Sequence, residues 1–327
     1  MYHVAVYGFG KLGQAVCRSI CTAPDMQLKA VFSRRAAGLR EDAAARISGA
    51  PFLEPEALEA CREGIDAVIN CGSSAADLPI TTPRIAAGHC VVDSFDTHAL
   101  IPAHFSAVDT AARAAGTLCI VSAGWDPGLF SLMRILASAF LPQADISTFW
   151  GPGVSQGHSD ALRRLPGVSA AVQYTVPDEI AIENARSGMP PSAETPVHRR
   201  ICYICTAPDT DRTVLERSIR NMPYYFAGYD TKIRFVSEET LLREHSGLPH
   251  GGSVICSSDA EELPRHTLEL KLSTGSNPDL TAGILTACAR AAIRLHRTGE
   301  CGCRTVADIP PALYTPQDAS SLRARWL

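Results

Sequence analysis

Residues 4–16 read VAVYGFGKLGQAV, and Gly8, Gly10 and Gly13 in them form a G-x-G-x-x-G spacing. Val4 to Tyr7 is a run of β-formers, and the segment from Leu12 to Cys21 has helical spacing, so the glycines fall between a strand and a helix. In that setting Gly8 permits the tight turn, Gly10 lets a pyrophosphate approach the backbone, and Gly13 allows close helix–strand packing. The helix N-terminus, with Lys11 and Leu12 in its opening turn, then faces the phosphates. The pattern therefore predicts a dinucleotide cradle at the head of a parallel α/β sheet.

The next strand, Leu28 to Phe32, selects the dinucleotide. An NAD site carries a carboxylate at its end to bind the ribose 2′-hydroxyl. Here the chain continues Ser33-Arg34-Arg35, a hydroxyl and two guanidiniums, which suits the 2′-phosphate of NADP. A third strand, Ala67 to Asn70, runs into Cys71, Gly72 and Ser73, small residues placed to line the cofactor near the nicotinamide.

Working outward, Val91 to Asp93 and Leu118 to Val121 read as further strands, with helices over Pro83 to Ala87 and Val108 to Ala115. Strands alternating with helices give a Rossmann-type, doubly wound parallel sheet. After Gly124 a helix from Gly128 to Ala139 precedes strand-like runs at Ile146 to Trp150, Ala170 to Val176, Arg199 to Thr206 and Thr231 to Val236. The segment 185–196 reads as loop. This pattern reads as an α+β substrate or assembly domain. Asp279 to Arg297 reads as a helix returning to the first domain. The expected division is 1–123, with a C-terminal return over 280–327, and 124–279 between them.

A net charge of −4 with no basic stripe argues against nucleic acid, and the apolar runs are too short to span a membrane. The N-terminus shows no signal-peptide pattern. The 12 cysteines sit mostly inside apolar runs, as free thiols do in a reducing compartment, so a cytoplasmic protein is expected. The lone Cys202–Cys205 spacing falls in a strand-like run, so structural thiols are preferred to a zinc site and no metal is expected.

Polar clusters follow the strand ends. VVDSFDTH holds Asp93, Asp96 and His98, and SAGWDPG holds Trp125 and Asp126. Asp96 and Asp126 both follow sheet strands and suit a cationic group such as an ammonium; each is also a residue type that caps turns. The stretch WGPGVSQGHSDALRRLPG, residues 150–167, is rich in glycine and proline and holds Gln156, Gly157 and His158. It reads as a loop, too rich in backbone breakers for an ordinary core element, with His158 either structural or catalytic.

The whole chain resembles the meso-diaminopimelate dehydrogenases. The resemblance rests on GFGKLG, PDMQLKAVFSRR, VDSFDTH and GWDPGLFS. It is strongest in TFWGPGVSQGHSDALRRLPGVSAAVQYT and continues in HRRIC, MPYYFAGY, GLPHGG and NPDLTA. It implies an NADP-dependent homodimer that oxidises the D-centre of meso-2,6-diaminopimelate to L-2-amino-6-oxopimelate and ammonia, reversibly, in lysine biosynthesis. It places Asp96, Asp126, Trp125 and Trp150 around the reacting centre, with Gln156 and Gly157 hydrogen-bonding there. Thr175, Arg200, His250 and Asn277 would grip the distal L end, with Arg199 the adjoining alternative to Arg200. Asp126 either accepts the ammonium proton while Asp96 orients the amine, or both carboxylates act as electrostatic clamps. The chain departs from the family at Ser94-Phe95 and over residues 38–53, which bears on substrate breadth. A broader NADP-dependent D-amino acid dehydrogenase and a non-catalytic NADP(H) sensor are the competing readings.

Overall fold

A computed structural model describes residues 1–41, 49–141, 143–189, 197–223, 225–247, 249–258 and 266–327, with residues 41 and 156 described by their backbone only. The chain divides into two compact units, Met1–Leu132 with Pro278–Leu327, and Met133–Asn277.

In the first unit the elements run β1 (Tyr2–Tyr7), α1 (Lys11–Thr22), β2 (Met26–Phe32), α2 (Ala36–Glu41), β3 (Phe52–Leu53), β4 (Ala67–Asn70), α3 (Leu78–Ala86), β5 (Val91–Asp93), α4 (Ile101–Ala115), β6 (Leu118–Ile120) and α5 (Leu129–Phe140), the last entering the second unit. There follow β7 (Asp145–Trp150), β8 (Gly153–Val154), α6 (Gln156–Arg163), β9 (Val168–Pro177), α7 (Glu179–Arg186), β10 (His198–Thr206), α8 (Arg212–Arg220), β11 (Thr231–Phe235), α9 (Glu238–His245), β12 (His250–Ser258) and β13 (His266–Thr274). The chain then returns through α10 (Asn277–Arg297), β14 (Gly302–Arg304) and α11 (Ala319–Trp326).

The first unit is a doubly wound parallel sheet in the order β14-β6-β5-β4-β1-β2-β3. Successive residues of β1 serve opposite faces. Val4 and Val6 pack with Val16 and Ile20 of α1 and Leu285 and Ala289 of α10, whereas Ala5 packs with Ile85 of α3 and Val108 and Ala112 of α4. Strands buried on both faces explain their unbroken apolar runs. The order reverses between β1 and β4, and ligands of such sheets bind at that switch point, beyond the strands' carboxyl ends. Arg290 of α10 holds Asp25 through two hydrogen bonds, Nε to Oδ2 at 2.7 Å and Nη2 to Oδ1 at 2.8 Å, and its Nη1 donates to the Tyr314 carbonyl.

The second unit carries a four-stranded sheet, β11-β10-β9-β8, and a three-stranded antiparallel sheet, β13-β12-β7. Leu162 of α6 and Leu215 and Ile219 of α8 cover Cys202 and Ile204 of the first; Ala181 and Ile182 of α7 pack with Phe149 and Ile255 of the second.

Several sequence expectations shift. The helix expected from Pro83 begins at Leu78, with Pro83 inside it, and the one expected from Val108 begins at Ile101. Both openings hide behind prolines in the first turn, a position where a missing N–H costs little. The expected loop at 150–167 is instead short β8 followed by helix α6. Gly151, Pro152, Pro166 and Gly167 fall at the turns on either side, while Gly153 lies in β8 and Gly157 in α6. The segment 185–196 begins as the end of α7, and its residues 190–196 lie outside the described set. Cys202 and Cys205 lie in β10; all 12 cysteines are free.

Candidate active site

In the first unit the glycine turn has the geometry a phosphate cradle needs. Gly8 has φ +96°, a left-handed conformation that favours glycine, and a Cβ there would lie 3.2 Å from the Cys71 carbonyl oxygen. Gly10 occupies the N-cap of α1, where no side chain caps the helix and a Cβ would meet nothing within 4 Å. The open N–H groups of the first turn, at Lys11, Leu12 and Gly13, are thus available to an anion.

A cavity of about 500 Å³ runs along this turn, lined by Gly8, Gly10, Ser33, Arg34, Arg35, Cys71, Gly72 and Ser73. Every one of these was singled out from the sequence; Tyr7, Phe9, Asp77 and Thr81, which also line it, were not. Phe9 is buried edge-on against Phe52, 4.9 Å between centroids, and anchors the turn from below. Ser33 Oγ accepts from the Arg35 amide at 3.2 Å, and Arg35 Nη2 donates to the Phe9 carbonyl at 2.9 Å. Arg34 reaches 3.5 Å from Asp77 Oδ1 with its side chain 82 % exposed. An exposed pair of this kind is weak, so an arriving phosphate can displace it. The donor set at the end of β2 therefore fits a 2′-phosphate.

Beyond the neighbouring strands stand the loops carrying Asp96, Trp125 and Asp126. Asp96 is exposed, and its amide donates to Ser74 Oγ at 2.8 Å. Trp125 is buried edge-on against Phe130 at 5.2 Å, and Asp126 beside it is half-buried.

In the second unit Thr175, Arg200 and His250 come together around residues 151–154. Thr175 of β9 faces Arg200 of β10 in register, and Arg200 Nη1 donates to Thr175 Oγ1 at 2.8 Å. On its other side Thr175 pairs with Gly153 of β8, where a Cβ would lie 2.4 Å from the His250 Cα. A Cβ at Gly151 would lie 2.2 Å from the Thr175 carbonyl oxygen. These two glycines, not marked in the sequence, let the backbones close on one another. Trp150 ends β7 next to them; its amide donates to His198 Nε2 at 2.8 Å and its ring stacks on that imidazole. Gly157 lies in the first turn of α6, with open space where a Cβ would be. The side chain of Gln156 lies outside the described residues. Asn277 opens α10.

Arg200 is buried, 7 % exposed, and among the described residues no carboxylate pairs with it. Its guanidinium lies 4.2 Å over the Tyr229 ring, and its Nε has no partner among the described residues. Burial lowers its affinity for the proton, and the same burial, with the Arg200 charge adding to it, pulls His158 and His198 down to about 4. A desolvated cation with two uncharged imidazoles near it at neutral pH has the chemistry to take a carboxylate. Arg199 is exposed on the opposite face of β10, so of the adjoining pair Arg200 is the one aimed at Thr175.

Comparisons with known proteins bear on this arrangement. Residues 124–276 match the diaminopimelic acid dehydrogenase C-terminal domain. The chain is 44% identical to the meso-diaminopimelate D-dehydrogenase of Ureibacillus thermosphaericus over 99% of this chain and 98% of that one. It is 42% identical to that of Corynebacterium glutamicum, covering 98% of each. Among solved structures it is similar to the C. glutamicum diaminopimelate dehydrogenase in complex with diaminopimelate, at TM-score 0.91 and 40% identity over 100% of this chain and 99% of that. It is likewise similar to an engineered D-amino acid dehydrogenase bound to NADP+, at TM-score 0.87 and 39% identity over 100% and 99%.

Proposed function

The chain belongs to the meso-diaminopimelate D-dehydrogenase family, and from that membership we infer its reaction: NADP+-dependent oxidative deamination of the D-centre of meso-2,6-diaminopimelate. The products are L-2-amino-6-oxopimelate, which cyclises to tetrahydrodipicolinate, and ammonia. The observation that carries this reading is 44% identity maintained across 99% of the chain. The reaction runs in both directions and serves the synthesis of lysine in the cytoplasm, by a homodimer.

When bound, NADP+ supplies the hydride acceptor. Gly8, Gly10, Lys11, Leu12 and Gly13 hold its pyrophosphate, Ser33, Arg34 and Arg35 its 2′-phosphate, and Cys71, Gly72 and Ser73 the approach to its nicotinamide. The substrate carries a zwitterion at each end, and buried charges without partners are costly, so each end needs its own polar set. Thr175, Arg200, His250 and Asn277 anchor the L-configured end, with the Arg200 guanidinium meeting its carboxylate. Trp125 and Trp150 flank the reacting end, and Gln156 and Gly157 hydrogen-bond there. Hydride departs from a carbon whose nitrogen lone pair is free, so the ammonium must first lose a proton. Asp126 accepts it, directly or through water, while Asp96 orients the amine. Stereochemical choice follows from fixing the L end while presenting the D carbon to the nicotinamide.

The test follows NADPH absorbance with the meso, LL and DD isomers supplied separately. Turnover with the meso isomer alone, and little with NAD+ in place of NADP+, is expected. Turnover with simple D-amino acids would mean a loosened distal anchor. Silence with all isomers despite NADP+ binding would discard the reaction.

A further inference from the structure

Asp93, the last residue of β5, is completely buried and carries no role in the reaction described above. Its carboxylate nonetheless accepts four hydrogen bonds. Oδ1 takes the amides of Phe95 at 3.1 Å and Ser122 at 3.0 Å; Oδ2 takes the Thr82 hydroxyl at 2.8 Å and His104 Nε2–H at 2.7 Å. Four donors fill the lone-pair sites of one carboxylate, which is how a buried charge is tolerated.

The donors come from the places that matter. Phe95 immediately precedes Asp96. Ser122, held at φ +56°, opens the turn to Trp125 and Asp126, and the next amide, Ala123, donates to the Asp93 carbonyl at 2.9 Å. Thr82 in turn accepts from Asn70 Nδ2 at 3.1 Å, and Asn70 Oδ1 accepts from the Gly72 amide at 3.2 Å on the cofactor cavity wall. His104 stacks on Phe95, 4.2 Å between ring centroids, and so presses on the same loop from α4. One carboxylate thus ties the loop of Asp96 to the loop of Asp126, and reaches the cofactor wall through two side chains.

We infer that Asp93 and His104 are positioning residues of the dehydrogenase reaction: the pair sets the placement of Asp96 and Asp126 relative to each other. This rests on the reading that those two aspartates surround the reacting amine. His104 is the arm to test, because its ring can be exchanged without opening the core. In His104→Phe the stack on Phe95 survives and the hydrogen bond to Asp93 is lost; in His104→Gln an amide N–H can replace Nε2–H.

The experiment measures kcat, KM for meso-diaminopimelate and Kd for NADP+ in both variants, each repeated in an Asp126→Asn background. His104→Phe is expected to lower kcat by about 10- to 100-fold, the scale of loss that a misplacement of about 1 Å of reacting groups can bring. Kd for NADP+ should stay within about twofold, and His104→Gln should restore most of kcat. In the Asp126→Asn background the same His104→Phe change should lower kcat by no more than about twofold, since groups acting through one another are not additive. Equal losses in both backgrounds, or an unchanged kcat in His104→Phe while Asp126→Asn is crippled, would overturn the positioning role alone. An unchanged kcat in Asp126→Asn would instead overturn the reading on which it rests. Should His104→Phe fail to fold, Thr82→Val removes another donor to the same carboxylate, and the same measurements decide.

Discussion

Gly13 packs so tightly on Gly8 that a Cβ at Gly13 would lie 2.0 Å from the Gly8 carbonyl oxygen. Gly10, three residues earlier, has open space at the same position and an extended backbone at φ −80°. The fingerprint's glycines therefore serve different ends. Gly13→Ala should destabilise the fold by about 2–3 kcal/mol through overpacking, read by urea unfolding. Gly10→Ala should change stability by less than about 1 kcal/mol yet weaken NADP+ binding, read by titration calorimetry. Equal effects on the two readouts would contradict this division.

Arg34 and Arg35 stand where an NAD enzyme carries a carboxylate. Replacing Arg34, whose guanidinium has among the described residues only the exposed contact to Asp77, should leave the fold intact. Arg34→Ala should lower kcat/KM for NADP+ by about 10- to 100-fold, the worth of a charge-assisted hydrogen bond, and leave the NAD+ value nearly unchanged. Steady-state kinetics with each cofactor checks it.

Arg200 couples affinity to strain in the opposite sense. It is desolvated, with Thr175 and the Tyr229 ring for company. Arg200→Met should raise KM for meso-diaminopimelate by at least about tenfold. The same change should leave thermal stability equal or higher, because an apolar side chain removes the cost of burying a cation. A large fall in melting temperature would show that the guanidinium is held for the fold.

His198 supplies a pH signature. Burial is the main cause, and the Arg200 charge the lesser one, of its depression to about 4. Between pH 6.5 and 4 the unfolded chain binds a proton on this residue that the folded chain refuses, so stability falls as pH falls. From pH 7 to 5 the loss is about 2 kcal/mol for this one group. Urea unfolding at the two pH values measures it, and His198→Gln, which retains an acceptor for the Trp150 amide, should flatten the dependence.

How much of this was written in the sequence depends on the range of the contacts involved. The cofactor cradle is local: strand, turn and helix lie within residues 2–22, and glycine spacing reports their geometry directly. The arginines at the end of β2 follow from the same unit. The second unit depends on contacts between residues far apart in the chain. The edge strand β8 has only two residues, Gly153 and Val154, and pairs with a strand that begins 15 residues later, so its glycine looked like a loop marker. The long pair β12 and β13 carries no such local signal. Every residue of β12 is buried, which removes the alternation that marks a half-exposed strand. Asp93 is visible as one of two carboxylates in VVDSFDTH, but its four donors come from residues 82, 95, 104 and 122, and no periodicity links them.

Arg290 and Asp25 form a largely enclosed, two-pronged ion pair, the Arg290 side chain 5 % exposed and that of Asp25 22 %. The pair holds the Asp25 carboxyl below its usual range. Arg290→Met removes the cation and leaves a half-sheltered carboxylate and the Tyr314 carbonyl without their donors. A loss of about 3 kcal/mol is expected in urea unfolding at pH 7. The loss should shrink as pH falls through the carboxylate range, because the stabilisation from a depressed acid is present above its unfolded value and disappears below.

The first unit is assembled from two stretches of chain with 145 residues of the second unit between them, Met133 to Asn277. As the polypeptide emerges from the ribosome, strands β1 to β6 are complete long before α10 exists. Until then Val6, Val16 and Ile20 lack the partners Leu285, Cys288 and Ala289 that cover them, and β6 has no neighbour at its outer edge. The nucleotide half, though encoded first, thus matures last during synthesis, and the inserted unit has the opportunity to fold before it. A chain stalled anywhere before residue 277 presents to the cell a wet apolar sheet face with an unpaired strand, the kind of surface that chaperones and proteases recognise.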